Sequence, residues 1–251
     1  MKRVLKHIAL GLIIVTAASC TKTDNYKAPD QTLQGTITDV GNGQNVQGEI
    51  GDAANSSRIK LLEISYSSNP TPQYLGVMQD GTYVNTKIFA ATYKISAEGA
   101  FVPMVQTTPV VDQSQTVVVK GGTTAVNFQV EPLLRVSWVG TPVLNANGTI
   151  TVQVTVTRGT TNALFQNNIT DVSLFVNTSE YVGNNINDAS RTARITYTGN
   201  AANTTLGTTL TLTTVGGALP TGRDYYLRVG ARTDYGLKQY NYTDVKKLAV
   251  P

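Results

Sequence analysis

The sequence has one histidine, His7, and one cysteine, Cys20, in 251 residues, and both lie within the first twenty. Everything after Cys20 is without imidazole or a second thiol. That excludes Ser-His-Asp and Cys-His nucleophilic mechanisms and zinc sites built from His and Cys. It also excludes a disulfide within one chain. Charge is sparse: Lys2, Arg3 and Lys6 account for three of the 20 basic residues, leaving 17 beyond Ser19 against 16 acidic ones. So balanced a surface lacks the basic excess that offsets phosphates, and no nucleic-acid partner is expected. Carboxylates are the catalytic groups that remain, among them Glu49, Glu63, Glu98, Glu131 and Glu180. A glycosidase needs two of them across one bond. Glu98 and Glu131, however, fall on the polar parity of alternating strands, where a solvated face accounts for them. Asp39 and Asp80 precede glycine turns, where side-chain-to-backbone bonding accounts for them. The expectation is a non-enzyme with no cofactor and no metal, a carboxylate-only glycoside hydrolase being the remote alternative.

The first nineteen residues have their own chemistry. Lys2, Arg3 and Lys6 precede an uncharged run from Ile8 to Ala18. That run is shorter than the ~20 residues a membrane-spanning helix requires, and it ends in small residues as secretory signals do. Ala17-Ala18-Ser19-Cys20 resembles the lipobox of bacterial lipoproteins. The resemblance implies removal of residues 1–19 and acylation (palmitate among the chains) of Cys20, which would hold the protein at a membrane without a spanning helix. Residues 20–30, polar and aperiodic, read as a tether. Lys22-Thr23-Asp24 resembles the surface-export signal of Bacteroidota lipoproteins, implying an outer-membrane location facing the cell exterior.

Beyond the tether the periodicity is two. In Thr149–Arg158, Ile150, Val152, Val154 and Val156 share one face. Tyr93, Ile95 and Ala97 alternate with polar residues, as do Val126, Phe128 and Val130. These are half-buried strands, and no helical stripe interrupts them. Turns at Gly41-Asn42-Gly43, Asp80-Gly81, Gly121-Gly122, Asn147-Gly148 and Gly216-Gly217 separate them at sandwich spacing. The fold class is therefore all-β, with two consecutive antiparallel sandwiches over 31–131 and 132–251 that join near Glu131-Pro132. Parity places Tyr83, Tyr93, Trp138 and Tyr225 in the cores.

Leu33-Gln34-Gly35-Thr36-Ile37-Thr38-Asp39 and its Gly-Asn-Gly turn resemble the opening of transthyretin-like (carboxypeptidase-regulatory-like) modules. Asp80-Gly81-Thr82-Tyr83 leading to Phe89–Ile95 resembles their hairpin. Leu219–Ala231 resembles the approach to strand F of immunoglobulin and fibronectin-III modules, with Tyr225 as the corner tyrosine and Lys238–Leu248 as one last strand. The whole order resembles a Bacteroidota lipoprotein family of unknown function associated with SusC/SusD-type uptake loci, most closely over Gln73–Tyr93. It implies an accessory surface protein whose partners are the outer membrane through its lipid, a SusC/SusD-like importer, and a glycan. The alternative is a spacer or subunit-contact protein without a small ligand.

A glycan site needs exposed aromatics beside amides and carboxylates, and loops supply such residues most often. Tyr66 and Tyr74 flank Ser67–Gln73, and Tyr181 borders an amide-rich loop with Asn184, Asn185 and Asp188. Tyr235 and Tyr240 adjoin the last hairpin. These eight residues are the candidates. The same loop offers oxygen ligands but lacks the spacing of a calcium loop.

Overall fold

The computed structural model describes residues 27–50 and 56–251. The leader, Cys20 and the tether as far as Tyr26 lie outside the described residues.

Ten strands occupy residues 31–130: β1 (Gln31–Asp39), β2 (Arg58–Glu63), β3 (Gln73–Gly76), β4 (Thr82–Ile88), β5 (Ala91–Glu98), β6 (Val105–Thr107), β7 (Val110–Asp112), β8 (Gln115–Val119), β9 (Thr123–Ala125) and β10 (Phe128–Val130). One sheet runs β10-β1-β4 with β9 also on β1, and the other runs β3-β2-β5-β8. Leu33, Ile37, Tyr83 and Phe128 from the first sheet meet Ile59, Leu61, Tyr93 and Ile95 from the second in one core. Each such fully buried aliphatic side chain stabilises by ~1.5–3 kcal/mol. The two tyrosines keep their hydroxyls satisfied. Tyr83 donates to the Val126 carbonyl at 2.5 Å and Tyr93 to that of Phe89 at 3.1 Å. β1 pairs with β4 antiparallel but with β9 and β10 parallel; alternation alone does not distinguish the two directions. Gly81, at φ 80°, closes the hairpin before β4 in a conformation that a side chain would strain.

Nine strands follow: β11 (Leu134–Trp138), β12 (Val143–Leu144), β13 (Ile150–Arg158), β14 (Ile169–Asn177), β15 (Ala193–Thr196), β16 (Thr209–Thr213), β17 (Arg223–Thr233), β18 (Tyr240–Tyr242) and β19 (Lys246–Val250). β11-β13-β12 with β16 forms one sheet, and β15-β14-β17-β18 with β19 the other. Their core holds Val152, Val154 and Leu212 against Leu174, Leu227 and Val229. The Tyr225 hydroxyl donates to the Pro220 carbonyl at 3.0 Å, the corner bond expected of an Ig-like sandwich. Trp138 is only half-buried: it packs on this core, and its indole N–H donates to the Asp244 carbonyl at 3.1 Å.

One expectation is corrected here. Lys238–Leu248 is not a single strand. β18 and β19 both pair with β17, but Tyr242 stands opposite Gly230 and Lys246 opposite Leu227. Four steps on one strand therefore face three on the other, a bulge over Thr243–Val245. Thr243 fills it, its N–H and hydroxyl both serving Val229 and its carbonyl accepting from Arg228 Nε at 2.9 Å.

The β14–β17–β18 sheet is buried on both faces. Its second face carries Phe175, Tyr240 and Tyr242, which cluster with Val182, and Tyr242 reaches Glu49 of the first module. Gly230 sits in the middle of β17 because those rings lie over it; a Cβ there would come within 2.7 Å of Tyr242 Cε1 and 2.9 Å of Tyr240 Cδ1.

Candidate functional site

The site is built on a polar cluster where the two modules meet. Arg228 points from β17 toward the first module and is 0% exposed. Its guanidinium lies over the Tyr242 ring, 4.3 Å from the centroid, and donates to the carbonyls of Thr243, Val182 and Gln79. The loop after β1 brings in Glu49, also buried. Glu49 accepts from the Tyr242 hydroxyl at 2.6 Å and from the backbone N–H of Asn185. Asn184 N–H donates to the same hydroxyl at 3.2 Å. Burial pushes the Glu49 carboxyl above its ordinary range, against the opposing effects of Tyr242, Asn185 and Arg228. Burial likewise pushes Arg228 down to about 10, leaving it cationic at neutral pH. The Tyr242 phenol, buried beside Glu49, is held well above its usual range and stays protonated as a donor. A buried charge is costly unless its polar atoms are satisfied; the Arg228 guanidinium is hydrogen-bonded to three carbonyls and stacked on Tyr242.

Other bonds lock the modules further. Arg135 on β11 makes a bidentate pair with Asp39 at the end of β1, at 2.5 and 2.7 Å. Asn241 donates to the Ala100 carbonyl at 2.8 Å and accepts from Leu134 N–H at 3.0 Å. The modules thus meet through directional contacts from several elements, which fixes the clefts between them.

One such cleft, of about 470 Å³, opens beside the Glu49–Arg228 cluster. The first module supplies Gln47 and the hairpin Met78–Thr82; the second supplies Glu180, Tyr181, Tyr226, Val245 and Lys247. Gln79 ties wall to floor, donating to the Glu180 carbonyl at 2.9 Å while its own carbonyl accepts from Arg228. Tyr181 is 43% exposed, and Tyr226 is half-buried with the Lys247 ammonium 6.0 Å from its ring centroid. Glu180 is exposed, and its carboxylate makes no hydrogen bond or ion pair among the described residues. Two tyrosines, an exposed glutamate and two glutamines therefore line one preformed hollow, of the size ligand pockets commonly have. On the other side of the β18–β19 segment a second cleft of about 520 Å³ carries Trp138, Arg135 and Asn45, and Gln47 borders both.

The sequence candidates do not gather in one place. Tyr181 lines the inter-module cleft. Asn184 and Asn185 spend backbone N–H groups on Tyr242 and Glu49, so the amide-rich loop grips a carboxylate of this same chain. Asp188 shapes a turn, accepting from Ser190 N–H and Oγ at 3.0 and 2.6 Å. Tyr240 is corrected: it is buried on β18 and its hydroxyl donates to Asp171 at 2.5 Å, so it is a packing residue. Tyr235 packs edge-on against Phe165 at 5.4 Å and borders a third cleft, of about 300 Å³, with Arg58. Tyr74 lies beneath that arginine, 3.8 Å from ring centroid to guanidinium carbon. Tyr66 stands apart, 78% exposed, on a hollow with Phe89. Sequence reasoning missed Tyr226 and Arg228, and weighed Glu49 and Glu180 only as catalytic carboxylates, not as binding residues. Among the carboxylates, Glu98 pairs with Arg58 and Lys60, and Glu131 accepts from Thr160 at 2.5 Å. No group of three or more His, Cys, Asp or Glu able to hold a metal occurs among the described residues, and no helix among them is long and apolar enough to cross a membrane.

Residues 31–131 match the N-terminal domain of a protein of unknown function, DUF3823, and residues 140–247 match the domain of unknown function DUF3823_C. The crystal structure of a DUF3823 family protein from Bacteroides uniformis is 31% identical, with 89% of this chain and 100% of that one covered and a TM-score of 0.80. A second Bacteroides uniformis structure, described as "a putative carbohydrate binding protein", is 26% identical over 88% of this chain and 100% of that one, with a TM-score of 0.67. A DUF3823 family protein from Parabacteroides merdae, 21% identical over 88% and 100%, shares the fold at a TM-score of 0.65. No curated protein matches the chain. None of these descriptions names an enzyme.

Proposed function

This chain belongs to the DUF3823 family, and from that premise we propose that it is an outer-membrane lipoprotein, facing the cell exterior, that holds a glycan for a SusC/SusD-type importer. The observation that carries the proposal is the inter-module cleft, which Tyr181, Tyr226 and Glu180 line together. Sugar rings offer apolar C–H faces to aromatic side chains and hydroxyls to carboxylates and amides, and this cleft has both. A preformed hollow also spares the ligand the cost of ordering its site. The relative described in terms of carbohydrate binding supports the same reading. The lipobox-like Ala17–Cys20 supplies the anchor.

Affinity electrophoresis of the chain from Cys20 onward against a panel of polysaccharides tests the proposal. Retardation by one glycan class is expected, and Tyr181→Ala, at an exposed side chain, should abolish it while leaving the melting temperature unchanged. Failure of every glycan to retard the chain would discard it. The interlocked modules favour one other reading, a rigid spacer or subunit contact, which predicts no glycan binding but co-purification with an importer.

A further inference from the structure

The end of the first module remote from the second has its own surface. Strand registers collect it: Gln31 stands opposite Ile88, Glu63 opposite Tyr93, and Ala91 opposite Val119. Gly122 N–H donates to Gln31 Oε1 at 2.8 Å, placing the Lys120–Gly122 turn there as well. The chain leaves the fold toward Cys20 at this end, through Lys27–Asp30. The other end of β1 carries Asp39, bonded to Arg135 of the second module. β1 is nine residues long, so its ends are eight steps of ~3.3 Å, or about 26 Å, apart.

Exposed apolar side chains gather at the tether end. Tyr66 is 78% exposed, Phe89 44% and Ile64 40%. Tyr66 and Phe89 wall a hollow of about 430 Å³ with Glu63, Asn69 and Pro70. Lys87 and Lys120 are exposed here and make no ion pair among the described residues, while Asp30 is paired with Lys27. Eleven residues run from Cys20 to Gln31, a chain that spans at most about 40 Å fully extended.

We propose that this surface seats on the bilayer that carries the anchor, with Tyr66, Phe89 and Ile64 at headgroup level. The inference rests on the lipid-anchored reading above for one point, that Cys20 holds the chain to a membrane. The tether leaves the fold at this end and permits the seating; what selects this face over the cleft is its exposed aromatic side chains and lysines. Aromatic side chains favour the membrane–water interface, and the two unpaired lysines complement phosphate headgroups. Seated in this way, the first module is a stand that directs the inter-module cleft away from the membrane.

The sole thiol makes the test specific. The chain from Cys20 onward is coupled through it to a maleimide-bearing lipid in phosphatidylethanolamine/phosphatidylglycerol vesicles, with Phe89→Trp in a Trp138→Phe background as reporter. Blue-shifted emission that brominated acyl chains quench is expected, and Tyr66→Ser with Ile64→Ser should abolish both effects. Emission that neither shifts nor is quenched overturns the proposal. So does a shift produced by a soluble oligosaccharide and not by lipid, which would assign the hollow to a sugar. If Phe89→Trp fails to fold, Tyr66→Trp reports from the more exposed position. Native acylation is read separately, from the mass of the chain recovered from cell membranes. An unmodified Cys20 would sink the anchor while leaving the vesicle result standing.

Discussion

Tyr242→Phe removes one oxygen from the centre of the module junction and leaves the packing in place. The ring keeps its contacts with Phe175 at 5.9 Å and Tyr240 at 5.5 Å, and the Arg228 guanidinium still has a face to rest on. What goes is the 2.6 Å donation to Glu49 and the acceptor for Asn184 N–H. A hydrogen bond to a charged group contributes ~1.5–3 kcal/mol and a neutral one ~0.5–1.5, so the expected loss at pH 8 is about 2–4 kcal/mol. The loss should depend on pH in a definite direction. Burial holds the folded-state Glu49 pKa above its unfolded value, so the cost of burying the carboxylate is absent below the unfolded pKa. It develops as pH rises through the folded one. Removing a donor to the carboxylate raises that pKa further and adds its penalty over the same rise. Near pH 4 the carboxyl is largely protonated in both states, and only the weaker neutral bonds are lost. Urea unfolding of both proteins at pH 4 and pH 8 measures this. A deficit under about 0.5 kcal/mol at pH 8, or one equal at the two pH values, would refute the account of Glu49 as a buried, hydrogen-bonded carboxylate.

Three further substitutions probe other parts of the frame. Gly230→Ala must push a methyl against the Tyr240 and Tyr242 rings, and overpacking of this kind lowers stability by ~1–3 kcal/mol, readable as a fall in the urea midpoint. Arg135→Leu strands Asp39, whose side chain is 6% exposed, with only the Gly41 N–H at 2.7 Å; a loss of ~3 kcal/mol is expected, as for other broken buried pairs. Tyr225→Phe deletes the corner bond to Pro220 and should cost about 1 kcal/mol, seen in the same assay with the core otherwise intact.

Much of the sandwich core was legible in the sequence because burial there follows a period of two. Ile150, Val152, Val154 and Val156 are all at most 2% exposed, as their spacing required. Tyr83, Tyr93 and Tyr225 could be placed by parity, and the corner bond by the resemblance of Leu219–Ala231 to the approach to strand F of immunoglobulin and fibronectin-III modules. The junction was not legible. Parity puts Arg228 and Tyr240 on the outer face of their sheet, correctly, but alternation cannot say that a second module covers that face. Glu49 and Tyr242 meet across 193 residues, beyond any local pattern. A weak sign was present in Val172-Ser173-Leu174-Phe175-Val176, where alternation fails as it does in strands buried on both faces, and in Gly230 placed mid-strand, where close approach by a neighbour is the usual reason. The amide-rich loop read as a ligand loop from its side-chain amides, whereas it is the backbone N–H groups of Asn184 and Asn185 that meet Tyr242 and Glu49.

The most direct test of the inter-module cleft as a glycan site is a crystal structure of the chain with the best-retarded oligosaccharide. A sugar ring stacked on Tyr181 or Tyr226, with a hydroxyl on Glu180, is the predicted result. A sugar bound elsewhere, with this cleft empty, would contradict it.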